Sequence, residues 1–234
     1  MKICYLGPRE RRAMLQEYAS PGVAIEAWQA GSRAALASVY DEYMEIPAHL
    51  EAVRRAQSDG HDAVIVGCFG DPGIDAAREI ATIPVVGLGE TSLTIAAMLG
   101  TRFGIVTPLR RLLPATLRQV RALGLDRRLA HIEPAEIPIL AIREKPDDAL
   151  RLMLPAARKC CEQGAESLAL ACGSMSVYAQ RLQEQLGVPV VNGLKVCVRF
   201  AELLVSSNLT FSKRSFPRPE GIPNDPGGGN RRNQ

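Results

Sequence analysis

Asp62–Glu90 reads DAVIVGCFGDPGIDAAREIATIPVVGLGE, and Glu166–Lys195 reads ESLALACGSMSVYAQRLQEQLGVPVVNGLK. Each opens on a short apolar run, Ala63-Val64-Ile65-Val66 or Leu168-Ala169-Leu170-Ala171, of the kind that forms a strand buried on both faces. Each run ends at a cysteine, Cys68 or Cys172, and a helix start follows. Asp71 reads as N-cap with Pro72 in the first helical position, and Ser174 as the cap of the second copy. Both copies return through a proline to another apolar run, Pro84-Val85-Val86-Gly87 and Pro189-Val190-Val191-Asn192. The match extends backwards to KICYLGP (Lys2–Pro8) and RFGIVTP (Arg102–Pro108), each a strand closed by proline. Equivalent residues stand 100 apart at those prolines, 104 apart at the cysteines and 105 apart at the later prolines. One ancestral half used twice predicts an α/β fold of two similar lobes, each a parallel sheet flanked by helices. A pseudo-two-fold would relate them, with a cleft between.

At 234 residues and 47% hydrophobic content, the chain can bury one or two ordinary cores. The net charge is only +3, and the basic residues are interspersed with acidic ones except near the end, which argues against nucleic acid. No charged segment precedes an apolar run and no stretch of about 18 apolar residues occurs, so neither secretion nor a membrane partner is expected and the cytoplasm is the expected compartment. Without a secretory context the six cysteines read as free thiols. No CxxC pair is present and His49, His61 and His131 stand alone, so no metal is expected.

The pattern assigns residues 1–100 to a first lobe and 101–192 to a second. Residues 193–214 form a C-terminal helix and extension returning to the first lobe, and 215–234 a disordered tail too poor in apolar residues to offset its ordering entropy. Helical spacing predicts two helices over Ser32–Tyr43 and Ile46–Ser58, and a long one over Asp147–Gln163 that Pro155 kinks or divides. GLGETS at Gly87–Ser92 lacks the third glycine of a dinucleotide fingerprint and reads as turn plus helix start.

In open parallel sheets, ligands sit beyond the carboxyl ends of the strands, where both cysteines fall. A helix N-terminus there would lower a thiol pKa. Two sulfurs facing one ligand from opposite lobes suit racemisation: one thiolate removes a proton from a carbon acid while the opposite thiol delivers one to the other face. Amides near Phe69-Gly70 and Gly173-Ser174 are candidates to hold the developing oxygen charge. Cys4, Cys160, Cys161 and Cys197 read as core residues.

Gly67-Cys68-Phe69-Gly70-Asp71-Pro72-Gly73 with Asp75-Ala76-Ala77-Arg78, Cys172-Gly173-Ser174-Met175, Ser38 with Tyr40-Asp41-Glu42, and Ser212-Lys213-Arg214 together resemble the aspartate/glutamate/hydantoin racemase superfamily. The nearest branch is that of the hydantoin and allantoin racemases, and the resemblance runs to about Arg214. It implies a cofactor-independent racemase of 5-substituted hydantoins or allantoin, with Cys68 and Cys172 as the acid/base pair. Pro8, Ser38, Phe69, Gly70, Thr107, Gly173 and Ser174 are the expected substrate contacts, the partner is a small molecule, and relatives often assemble as homo-oligomers. An amino-acid racemase or isomerase of the same superfamily is the alternative within the enzyme class, and a ligand-binding homologue without turnover the alternative outside it. Gly7-Pro8-Arg9-Glu10 replaces the Asn-Pro-Asn-Thr or Asn-Pro-Asn-Ser common in that branch. A charged arginine at the mouth would select a carboxylate-bearing ligand.

Overall fold

The unbroken apolar runs become strands because only a fully covered parallel sheet can use them, and helices alternate with them to supply the cover. The computed structural model describes residues 1–31 and 35–221. Its first half runs β1 (Lys2–Leu6), α1 (Arg12–Tyr18), β2 (Ala24–Trp28), α2 (Val39–Ser58), β3 (Ala63–Val66), α3 (Ile74–Ile80), β4 (Val85–Gly87) and α4 (Leu88–Met98). The second runs β5 (Phe103–Thr107), α5 (Leu113–Ala122), β6 (Leu129–Pro134), α6 (Ala141–Glu144), α7 (Pro146–Glu162), β7 (Ser167–Leu170), α8 (Ala179–Leu186), β8 (Val190–Val191) and α9 (Gly193–Ser206). The strands form two four-stranded sheets of matching order, β2-β1-β3-β4 and β6-β5-β7-β8. All pairings are parallel. The two-lobed architecture read from the repeat is therefore present.

The halves are tied by an exchange of helices. α4 follows the last strand of the first sheet, yet its Leu93, Ala96 and Ala97 pack with Phe103, Ile105 and Ala169 of the second. The Ser167 hydroxyl holds it there by donating to the Ala96 carbonyl at 2.6 Å. α9 does the converse, setting Leu194, Val198 and Ala201 among Ile3, Ile65 and Val86 of the first sheet. Beyond α9, Phe211 stacks over the Arg78 guanidinium at 3.6 Å. Lys213 Nζ donates to the Glu79 and Ala81 carbonyls at 3.1 and 2.6 Å, closing the C-terminus of α3. Residues 222–234, most of the expected disordered tail, lie outside the described residues.

Two local expectations change. The two helices expected over Ser32–Tyr43 and Ile46–Ser58 are a single α2 that starts after Ser38 and runs through Pro47; Ser32 itself lies outside the described residues. The long helix expected over Asp147–Gln163 is α7, which Pro155 does not divide. Each proline frees a carbonyl four residues earlier, at Tyr43 or Arg151, and both residues are exposed, where a freed acceptor costs little. Asp71 does not cap the helix that follows it, whose N-cap is Gly73 at φ 72°. Asp71 lies at φ 48°, which turns its carboxylate across to the start of α4. There it accepts from the Gly89 and Glu90 amides at 2.9 and 2.7 Å. Gly87 and Glu90 open a helix, as GLGETS predicts, but Gly87 has no side chain to cap it and Asp71 supplies the acceptor from another loop.

Candidate active site

A cavity of about 170 Å³ opens where the carboxyl ends of β1, β3, β5 and β7 converge, and its small volume suits a small molecule. Cys68 and Cys172 both line it, each half-buried. The sequence repeat becomes a geometric one here. The Cys68 carbonyl accepts from the Asp71 amide at 3.1 Å and the Cys172 carbonyl from the Met175 amide at 2.9 Å. The residues before them bond the first strand of each sheet, Gly67 N–H to the Leu6 carbonyl and Ala171 N–H to the Val106 carbonyl, at 2.9 and 2.8 Å. Matching tight turns thus deliver both thiols to one space.

The surroundings of the two sulfurs differ. On the Cys68 side, α2 presents Glu42, Glu45 and His49, all lining the cavity. Their spacing, i, i+3, i+7, puts them on one helix face. Glu42 lies so close to Gly70 that a side chain at that position would collide with its carboxylate. Burial pushes the Cys68 thiol far up and the Glu42 charge adds to this, against a hydrogen bond from the Gly70 amide. Burial also raises the Glu42 carboxyl, opposed by Arg118. The expected lowering of the Cys68 pKa by a helix N-terminus is therefore overturned: the next α-helix starts only at Ile74, and desolvation outweighs one amide. Burial likewise keeps His49 below the usual imidazole range.

On the Cys172 side stands Arg11, which is 9% exposed. Its Nη1 donates to Tyr5 Oη at 2.6 Å and its Nη2 to Ser174 Oγ at 2.7 Å. A Cβ at Gly173 would lie 2.6 Å from Arg11 Nη1, so the glycine after Cys172 admits a cation just as Gly70 admits an anion. Ser174 is consequently a hydrogen-bond partner of Arg11 rather than a helix cap; the short 3-10 turn that follows begins after Met175.

Of the other residues singled out from sequence, Pro8, Phe69, Gly70, Gly173 and Ser174 line the same cavity. Ser38 and Thr107 are not among its lining residues. Ser38 Oγ caps α2, accepting from the Asp41 amide at 3.2 Å and donating to its carboxylate at 2.7 Å. Thr107 is fully buried at the end of β5. Arg9, the arginine expected at the mouth, is exposed and absent from the lining, and Arg11 takes the inner position. Cys4, Cys160 and Cys197 are buried core residues and Cys161 is half-buried. Among the described residues no group of His, Cys, Asp and Glu could hold a metal ion, and no helix is long and apolar enough to cross a membrane.

The duplicated α/β lobes and the similarity to known proteins place the chain among the racemases, a type of isomerase. The family model for Asp/Glu/Hydantoin racemase matches residues 9–201, and the chain belongs to that family. A hydantoin racemase of Paenarthrobacter aurescens is 32% identical over 230 residues, which are 94% of this chain and 98% of that one. One from Pseudomonas sp. is 34% identical over 189 residues, 80% of this chain and 76% of the other. Among solved structures, allantoin racemase from Klebsiella pneumoniae superposes with a TM-score of 0.88 at 29% identity, covering 96% of each chain.

Proposed function

We propose that this racemase inverts the chiral ring carbon of a 5-substituted hydantoin or of allantoin, using Cys68 and Cys172 as its two acid/base groups. The observation that carries the reading is that equivalent turns of the two lobes bring both cysteines to one cavity. The ring carbon lies between a carbonyl and a nitrogen, so its anion delocalises onto oxygen and no cofactor is required to stabilise it. One thiolate takes the proton, the planar enolate forms, and the opposite thiol returns a proton to the other face. Burial favours the protonated form of Cys68, which suits that sulfur to the role of donor in the resting enzyme. The Gly70 amide supports the sulfur of Cys68 when that residue takes its turn as base. The Phe69, Gly173 and Ser174 amides are left as candidates for the enolate oxygen. Free thiols throughout fit a reducing compartment such as the cytoplasm.

Single enantiomers of substituted hydantoins, allantoin, aspartate and glutamate, incubated with the protein and followed by polarimetry against a protein-free blank, test the reading. Catalysed loss of rotation with a hydantoin or allantoin is expected. Activity confined to the free amino acids would contradict it.

A further inference from the structure

One charged side chain lining the cavity, Arg11, hydrogen-bonds only neutral groups among the described residues. Arg143 also reaches the lining but is paired with Glu10. Arg11 is buried and has no carboxylate partner among the described residues: its side-chain bonds go to a phenol and a hydroxyl. Burial holds the Tyr5 phenol protonated, so it supplies no counter-charge. A buried guanidinium without an anion carries a large desolvation penalty. It carries five N–H donors in a fixed fork, of which these bonds use two. The unspent donors belong to a group that lines the ligand space.

We propose that Arg11 is the anchor for a carboxylate on the substrate, so that the preferred hydantoin is one whose side chain ends in an acid. This inference rests on the hydantoin reading above and narrows its substrate class. A carboxylate matches the guanidinium fork and forms charge-assisted bonds that a neutral group cannot. The same cavity fixes the direction of binding. Glu42 lies on the Cys68 side and repels an acid there, whereas Arg11 and the Ser174 hydroxyl receive it beside the Cys172 loop. The competing role for Arg11 is as counter-charge to a Cys172 thiolate or to the enolate. That role would serve every hydantoin alike.

The test compares two hydantoins of equal size, one with a carboxyethyl side chain and one with the corresponding carbamoylethyl side chain. With the wild-type protein, kcat/KM for the acid is expected to exceed that for the amide by at least about tenfold, carried mainly by KM. Arg11→Gln is expected to bring the ratio near one, and Arg11→Lys to retain part of it because the charge remains without the fork. Wild-type protein that handles the amide as well as the acid would overturn the inference. So would an Arg11→Gln variant that slows both substrates equally while keeping the preference. The wild-type ratio decides alone if that variant does not fold. Racemisation of the amide without preference leaves the hydantoin reading standing, whereas inactivity toward every hydantoin removes that reading and the inference with it.

Discussion

The loop after β3 and the loop after β7 are copies of one turn, yet they place opposite charges beside their cysteines. Each carries a glycine that lets a charged side chain approach: Glu42 at Gly70, Arg11 at Gly173. The backbone duplication supplies two sulfurs at one cavity, while the electrostatics come from segments that are not duplicates, α2 and the stretch after β1. A symmetric scaffold thus carries an asymmetric site. The helices that follow differ as well. Asn192 caps its own helix, accepting from the Lys195 amide at 3.0 Å. Its counterpart Gly87 leaves that task to Asp71. The counterpart of Asp71 in the second lobe is Met175, fully buried in the core.

The largest expected effect comes from removing one sulfur. Cys68→Ser and Cys172→Ser should each lower interconversion by about 10²–10⁴-fold, the range for loss of a positioned acid or base. Polarimetry from each pure enantiomer would show it. Parent-rate racemisation by either variant would remove the equivalence of the two loops. Next in size is the capping difference. Asp71→Ala should destabilise the protein by about 2 kcal/mol in urea unfolding, because two amides at the start of α4 lose their acceptor. Gly87→Asn alone should also destabilise, since its Cβ would sit 2.7 Å from the Asp71 carboxyl carbon. The two changes combined should recover part of the loss by importing the solution of the second lobe. The smallest effect belongs to Glu42. Glu42→Gln removes a charge that raises the Cys68 thiol, so the alkaline-rising limb of the rate should move to lower pH for the enantiomer that Cys68 deprotonates. At neutral pH the gain should be no more than about tenfold, because burial remains the larger cause. A profile that does not move would detach Glu42 from that sulfur.

Much of this was legible in the sequence because periodic apolar runs repeat with matching punctuation. The strands of the described residues lie close to where those runs fall, and the two cysteines stand out because they recur at the same place in both copies. What escaped depends on distance along the chain. Asp71-Pro72 looks like a local cap, and only the tertiary approach of α4 redirects it. Arg11 sits in a stretch with no apolar periodicity to place it, and its burial depends on Gly173, more than 160 residues away. Glu42, Glu45 and His49 had a visible signal, since their spacing puts them on one helix face, but reading a break before Ile46 split that face in two. The pKa direction at Cys68 failed for a related reason: a sequence shows that a helix is near, not how deeply the thiol is buried.

The central claim is that the two thiols work on opposite faces of one carbon, and racemisation in deuterium oxide tests it most directly. Starting from either pure enantiomer of a turned-over hydantoin, early product should carry deuterium at the chiral carbon while recovered starting material stays protiated, as required when one group removes the proton and another supplies its replacement. Deuterium entering starting material as fast as product would mean that a single group serves both faces, and the two-thiol account would be wrong.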